Sequence, residues 1–244
     1  MPEDERADLA EVNAQLQAVA TRRQDRVDLF DYPYRLSKIA WKVAEFSNAM
    51  TYRFISLAEG VALSWNNSNA LSAVLNARAI VETTAIYWEF GREFSKLADA
   101  LDFGAVDRLA MNYLFSMRDA ELLEETPELK ARQVLNAIDL IDKTLIPHFR
   151  SHYDRLSEFC HPNSLGHRGL FSKLDRETGI TEFGSRALED FIIPVKAALG
   201  TAIIFDHSSV QNRRADGSLR SRSSRCAPVA FGRIICGLPN VQFI

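Results

Sequence analysis

The segment YDRLSEFCHPNSLGH, residues 153–167, concentrates side chains that can do chemistry. It holds a phenol, a guanidinium, two serine hydroxyls, a thiol, two imidazoles and a carboxamide. Four of the five histidines of the chain lie between residues 148 and 167, namely His148, His152, His161 and His167. Side chains of these types transfer protons, bind phosphate or ligate metals. A candidate site is therefore expected in this part of the chain.

Helix geometry sorts the side chains of this segment. If residues 148–160 are helical, Tyr153 and Ser157 are i,i+4 neighbours on one face, and His161 extends their stripe. Pro162 disfavours a helical conformation for the residue before it. The helix should therefore end at about Cys160, with His161 at its C-terminal end, where the helix dipole favours a protonated imidazole.

A second set of charged side chains lies on an earlier and far more apolar helix. In LSAVLNARAIVETTAIYWEF, residues 71–90, one narrow helical stripe carries Arg78, Glu82 and Glu89. A helix so apolar should lie at the centre of a bundle. Its stripe is either a partly exposed Arg–Glu pair or the polar wall of a pocket, where Glu82 holds Arg78 toward an anion.

Three interpretations of the 153–167 segment follow from its residues alone. The first is structural: Asn163, Ser164 and His161 cap the end of the helix. The second is a metal site on His148 and His152, which are spaced i,i+4. The third is a small-molecule or anion pocket built by Tyr153, Ser157 and His161 against Arg78 and Glu82, with Asn163 as a further ligand-binding residue.

The spacing of Arg155 and His161, in RLSEFCH, resembles the R-x4-6-H signature of HEPN domains. The resemblance implies an all-α protein that acts as a metal-independent ribonuclease of a bacterial defence or toxin-type system. It also implies that His161 is the catalytic acid and base, that Arg155 binds the scissile phosphate, and that the active form is a homodimer. RNA cleavage needs only proton transfer and charge stabilisation, which these two side chains supply.

A second resemblance pairs the two charged segments. RAIVE on an early helix, followed by YxxLSEFxHPNxxG, is similar to a set of uncharacterised bacterial helical proteins. It implies that Arg78 and Glu82 belong to one site with Tyr153, Ser157 and Asn163.

The elements that must position these residues are almost all helices. Apolar residues recur at helical spacing along the body, and DRETG between two short runs predicts a turn. We expect an all-α bundle of six to seven long helices with a small β-hairpin near 169–184. The predicted helices cover 3–25, 34–63, 68–100, 105–125, 128–145, 148–160 and 185–206.

The chain changes in composition after His207. Residues 208–244 contain six arginines and a single acid, Asp216. We therefore predict a helical domain over 1–207 and a poorly ordered basic tail over 208–244. An RNA-contacting arm and a tail unrelated to the domain are the alternatives.

Composition excludes several classes of function. A net charge of −3 and a charged fraction of 25% give no overall attraction to DNA or to anionic membranes. The three cysteines are widely spaced, which indicates a reducing compartment and no thiolate metal site. No glycine-rich nucleotide motif is present, so no nucleotide cofactor is expected. No metal is expected either, because the spacing of His148 and His152 alone is common in helices.

The function indicated by the sequence is that of a cytoplasmic, homodimeric HEPN-like protein that binds or cleaves RNA. The alternative is a non-catalytic helical bundle that senses a ligand or binds a protein.

Overall fold

A computed structural model of the chain describes residues 3–31, 34, 37–185 and 188–223, with side chains for all of these except 3–8, 189 and 213–223. Its elements are α1 (Glu3–Ala20), α2 (Lys38–Asn66), α3 (Ala70–Asp99), α4 (Phe103–Phe115), α5 (Ala120–Glu125), α6 (Val134–Thr144), α7 (Phe149–Cys160), β1 (Ser172–Leu174), β2 (Thr181–Phe183), α8 (Ile192–Gly200) and α9 (Ala202–Ser223). Short 3-10 turns cover Pro127–Leu129 and Leu188–Phe191, and a π-helical turn covers Ser164–Gly169. The predicted all-α bundle with one small hairpin is confirmed.

Helix α3 lies at the centre of the bundle, as its apolar sequence predicts. It contacts α2, α4, α6, α7, α8 and α9. Two aromatic clusters fix it to its neighbours. Phe90 packs edge-on against Phe46 of α2 and Tyr113 of α4, and Tyr87 stacks on Phe205 of α9. These contacts place the charged stripe of α3 between flanking helices.

Short polar side chains begin the central helices. Ser37 accepts a hydrogen bond from the amide of Ala40 at the start of α2, and Asn69 accepts one from Ser72 at the start of α3. Asp102 does the same for Ala105 in α4. Each cap satisfies an amide that would otherwise lack a partner in the first helical turn.

The described residues form nine α-helices rather than the six or seven that we expected. The predicted helix over 105–125 is interrupted because Ser116 adopts an extended conformation and Met117 pairs with Lys130 in an isolated bridge. The same bridge delays the next predicted helix, so that α6 begins at Val134. Residues 188–206 are likewise divided into a 3-10 turn, α8 and the start of α9.

The hairpin predicted near 169–184 is present. Strands β1 and β2 are antiparallel, with Lys173 opposite Glu182. The turn depends on Asp175, whose carboxylate accepts hydrogen bonds from the amides of Glu177 and Thr178. Gly179 closes it with a φ of +71°, a conformation that favours glycine.

The last helix extends past the domain boundary that we predicted at residue 207. Helix α9 runs to Ser223, and Ser208, Ser209 and Asn212 are buried in the bundle. These residues fit because they are short and because Gly91 of α3 lacks the Cβ atom that would meet Asn212. The rest of the predicted tail, 224–244, lies outside the described residues.

No helix within the described ranges has both the length and the apolar character that crossing a membrane would require.

Candidate functional site

Helix α7 carries the candidate residues and is anchored by its apolar face. Phe149, Tyr153, Leu156 and Phe159 are buried at helical spacing, and Phe159 packs edge-on against Phe191. The helix ends at Cys160, where Pro162 predicts an end, and His161 is extended with φ −81° and ψ 148°. The buried face of α7 lies against α3.

Tyr153 joins α7 to the charged stripe of α3. Its hydroxyl donates to Glu82 Oε1 at 2.8 Å and accepts from Arg78 Nη2 at 3.1 Å. The Arg78 guanidinium also lies 5.5 Å from the centre of the Tyr153 ring. We call these three residues the Arg78 network, together with Cys160, whose thiol interacts with Arg78, and Ser157, which lies one helical turn after Tyr153 on α7. It brings together the two segments that the sequence pairs.

The Arg78 network is half-buried and incompletely paired. The Arg78 and Glu82 side chains are 26% and 28% exposed, and Arg78 Nε lies 3.1 Å from Glu82 Oε1. The N–H bond of Arg78 Nε does not point at this oxygen, so the contact is an ion pair and not a hydrogen bond. Arg78 Nε is held by this ion pair without a hydrogen bond, and Ser157 Oγ is buried without any hydrogen-bond partner in the described chain. An unpaired buried polar atom costs about 1–3 kcal/mol.

The electrostatics of the network keep Arg78 charged and Cys160 neutral. Burial favours a lower pKa for Arg78, but the Tyr153 hydroxyl and the Glu82 carboxylate outweigh it and raise the pKa above its usual value. Burial raises the pKa of the Cys160 thiol, and the nearby Arg78 only partly offsets this effect. Cys160 is thus a poor nucleophile, because the thiolate is the reactive form.

Arg155 and His161 lie outside this network. Both are exposed, and neither side chain forms a hydrogen bond or ion pair with any other described residue. The same holds for His167 and Arg168, which follow in the π-helical turn. We call these four residues the basic end of α7. The acids beside them are engaged, since Arg150 binds Asp154 and Asn163 binds Glu158.

Asn163 holds the loop that follows α7. Its Oδ1 accepts hydrogen bonds from the amides of Leu165 and Gly166, and its Nδ2 donates to Glu158 at 2.7 Å. Gly166 is required in this loop because a Cβ atom there would lie 1.7 Å from the His161 carbonyl oxygen. Asn163 therefore caps the start of the π-helical turn that follows and not the end of α7, where His161 is the capping residue, and its carboxamide is engaged at both ends.

The two histidines considered as metal ligands, His148 and His152, differ in burial. His148 is exposed and precedes α7 with a φ of +70°. His152 Nε2 is buried without a partner, and burial and the charge of Arg155 lower the pKa of this imidazole. Across the part of the chain that the structure describes, no three His, Cys, Asp or Glu side chains are arranged to hold a metal ion.

A second polar network on α3 was not expected from the sequence. Tyr113 of α4 donates to Glu89 at 2.9 Å. Arg132 binds Glu93 through two hydrogen bonds of 2.9 Å and lies 4.8 Å from the centre of the Tyr113 ring. The sequence already places Glu89 on the stripe of Arg78 and Glu82. Glu93 continues this stripe one turn further, and that spacing is the signal that could have revealed it.

Comparison with known proteins assigns no family and no function to this chain. No family model, no curated protein and no solved structure matches the chain.

Proposed function

We propose that this chain is a HEPN-like protein that binds RNA and cleaves it at the basic end of α7. One observation carries the proposal. Arg155, His161, His167 and Arg168 are exposed and unpaired within the described chain, whereas the neighbouring acids Asp154 and Glu158 are engaged by Arg150 and Asn163. A local surface of this kind attracts phosphates even though the chain as a whole is slightly acidic.

The proposed chemistry needs two proton transfers and one cation. A base removes the proton of the ribose 2′-hydroxyl, whose oxygen attacks the adjacent phosphorus, and an acid protonates the departing 5′ oxygen. The products are a 2′,3′-cyclic phosphate and a 5′-hydroxyl. His161 supplies the proton transfers and Arg155 stabilises the charge on the phosphate. In a cytoplasmic homodimer, one copy of His161 acts as the base and the other as the acid.

The cleavage test uses end-labelled single-stranded RNA in EDTA. We expect His161→Ala to lower the cleavage rate by about 100-fold or more, since positioned acid–base groups contribute factors of this size. His207→Ala is the matched control, because His207 is also exposed but lies on α9 and contacts Gln211. Equal cleavage by the wild type and His161→Ala, or cleavage by neither, contradicts the proposed reaction.

RNA binding is measured separately, by fluorescence anisotropy over a range of salt concentrations. We expect Arg155→Gln to weaken binding and to lower the slope of log affinity against log salt, by about 0.7 for one lost contact with single-stranded phosphate. Lys143→Gln, which changes an exposed cation on α6, should leave the slope unchanged. An unchanged slope for Arg155→Gln contradicts a phosphate contact.

A ligand-sensing bundle is the second candidate, and the polar atoms of the Arg78 network that lack a hydrogen bond favour it. Ser157 Oγ is buried without a hydrogen-bond partner in the described chain, and Arg78 Nε is held by the Glu82 ion pair but by no hydrogen bond. On this second proposal, a small oxyanion binds the Arg78 cation and accepts a hydrogen bond from the Ser157 hydroxyl, which lies one helical turn from Tyr153. Inorganic phosphate should then raise the Tm of the wild type but not that of Ser157→Ala, with exposed Ser151→Ala as the control. Equal shifts in all three proteins contradict this second candidate.

A further inference from the structure

A cavity of about 300 Å³ lies under the first helix, far along the chain from the residues discussed so far. Its walls come from three helices: Leu9 and Val12 of α1, Trp65 of α2, and Ile192 and Leu199 of α8. Side chains of this kind give an apolar interior. The volume is within the range of natural small-molecule sites.

The packing of α1 explains why this space is not filled. Its C-terminal half is fixed, because Leu16, Val19 and Ala20 are buried and Arg22 forms an ion pair with Asp206. Toward the N-terminus, contact with the bundle becomes looser, and Val12 is only partly buried. A second cavity of about 380 Å³ lies against α1 and shares Val12 with the first. The helix therefore covers the cavity without filling it.

Three polar residues, Asn13, Asn66 and Lys196, interrupt the apolar wall. Asn13 lines the cavity, and its Oδ1 is buried without a hydrogen-bond partner. A buried acceptor in this state is destabilising unless a donor reaches it. Because most of the lining is apolar, a ligand that fills the space can bury an apolar body there and also supply the donor.

We propose that the cavity under α1 binds a neutral amphipathic molecule with an apolar body and one hydroxyl or N–H donor directed at Asn13. A cavity of 150 Å³ holds benzene, so this one accommodates up to about twelve heavy atoms. The ligand completes the packing of α1 against α2 and α8. This site is independent of the proposed action on RNA.

The test uses 1-octanol and its isomer heptyl methyl ether, which has the same atoms but no O–H donor. Calorimetric titration of the full chain should show one saturable site for 1-octanol, with an affinity about fivefold above that of the ether, the advantage of one hydrogen bond. Asn13→Leu should bring the two affinities together. Equal affinities for the two compounds in the wild type, or no saturable binding, overturn the proposal.

Two further measurements locate the site. Ala62→Phe fills the cavity from α2 and should abolish binding, while a thermal melt reports whether the variant folds. Photolabelling of the wild type with a diazirine derivative of 1-octanol, followed by peptide mapping, needs no substitution. Labels in α1, α2 or α8 support the proposal. Labels elsewhere, or undiminished binding by folded Ala62→Phe, overturn it.

Discussion

Two tyrosine hydroxyls bind glutamates of the same α3 stripe, but in different surroundings. Tyr113 bonds Glu89, which is 7% exposed, and Tyr153 bonds the more accessible Glu82. Tyr113→Phe leaves a buried carboxylate without its donor, and we expect it to lower the free energy of unfolding by about 2–3 kcal/mol. For Tyr153→Phe we expect about 1 kcal/mol. Urea unfolding measures both.

The control for these two substitutions is Tyr52→Phe. The Tyr52 hydroxyl bonds Asp25 at the surface, where water replaces the lost partner. Its removal should change the free energy of unfolding by less than about 0.5 kcal/mol. Equal losses in all three variants would show that burial of the glutamate does not set the contribution of the hydroxyl.

His152 makes stability depend on pH. Burial, reinforced by the charge of Arg155, lowers the pKa of His152 below its usual value in the folded chain. The unfolded chain therefore binds the proton more readily, and stability falls as the pH drops through the usual range of histidine toward the folded-state pKa. His152→Gln should flatten the dependence of urea unfolding on pH between 7.5 and 5.5. A curve that keeps its full slope contradicts this assignment.

At the scale of elements, the sequence predicts the features that depend on the residues of a single helix. The central position of α3 follows from its apolar residues, and the end of α7 follows from Pro162, since both effects act within one helix. The break at Ser116 depends on a contact with a later segment, the bridge between Met117 and Lys130. Local patterns contain no information about such contacts, so the helix count was too low.

In the candidate site, too, some features follow from one helix alone and others depend on contacts between elements. The face shared by Tyr153 and Ser157 is a property of one helix, and so is the stripe of Arg78 and Glu82. The pairing of Tyr113 with Glu89 and of Arg132 with Glu93 is not, because three elements must first meet. The sequence allows Asn163 to be either a capping residue or a ligand-binding residue. Its hydrogen bonds to the amides of Leu165 and Gly166 are those of a capping residue.

The loop after α7 depends on a close approach that only glycine permits. The backbone at Gly166 meets the His161 carbonyl so closely that an added Cβ atom would overlap it. Gly166→Ala must therefore displace the loop, and we expect a loss of about 1–3 kcal/mol, as in other overpacked sites, together with weaker RNA binding. Thermal unfolding and fluorescence anisotropy measure the two effects.

Gly184→Ala is the matched control for the loop substitution. A Cβ atom at Gly184 meets nothing within 4 Å, and the backbone there has no positive φ. Its Tm and RNA affinity should equal those of the wild type. If Gly166→Ala behaves like this control, the contact between the loop and His161 is not needed for stability or for binding.

At the scale of the whole molecule, α9 determines where the bundle ends. Its composition after His207 is that of a linker, yet Ser208, Ser209 and Asn212 are buried where α9 packs on α3. Gly91 leaves room for Asn212, whose side-chain amide is buried without a hydrogen-bond partner among the described residues. Ser208 bonds its own helix at the Ile204 carbonyl, and its burial extends the packed part of α9 past residue 207. Residues 208–223 should therefore stabilise the fold.

Two truncated chains test this conclusion, one ending at His207 and the other at Ser223. Both lack residues 224–244, so their difference reports on 208–223 alone. Removing the buried turns of α9 exposes the apolar surface of α3 beneath them, and we expect a loss of about 2 kcal/mol. For a chain of this size, the Tm should fall by about 4–8 °C. If the two chains melt at the same temperature, the bundle ends at the boundary that composition predicts, and the observed burial of Asn212 contributes nothing to stability.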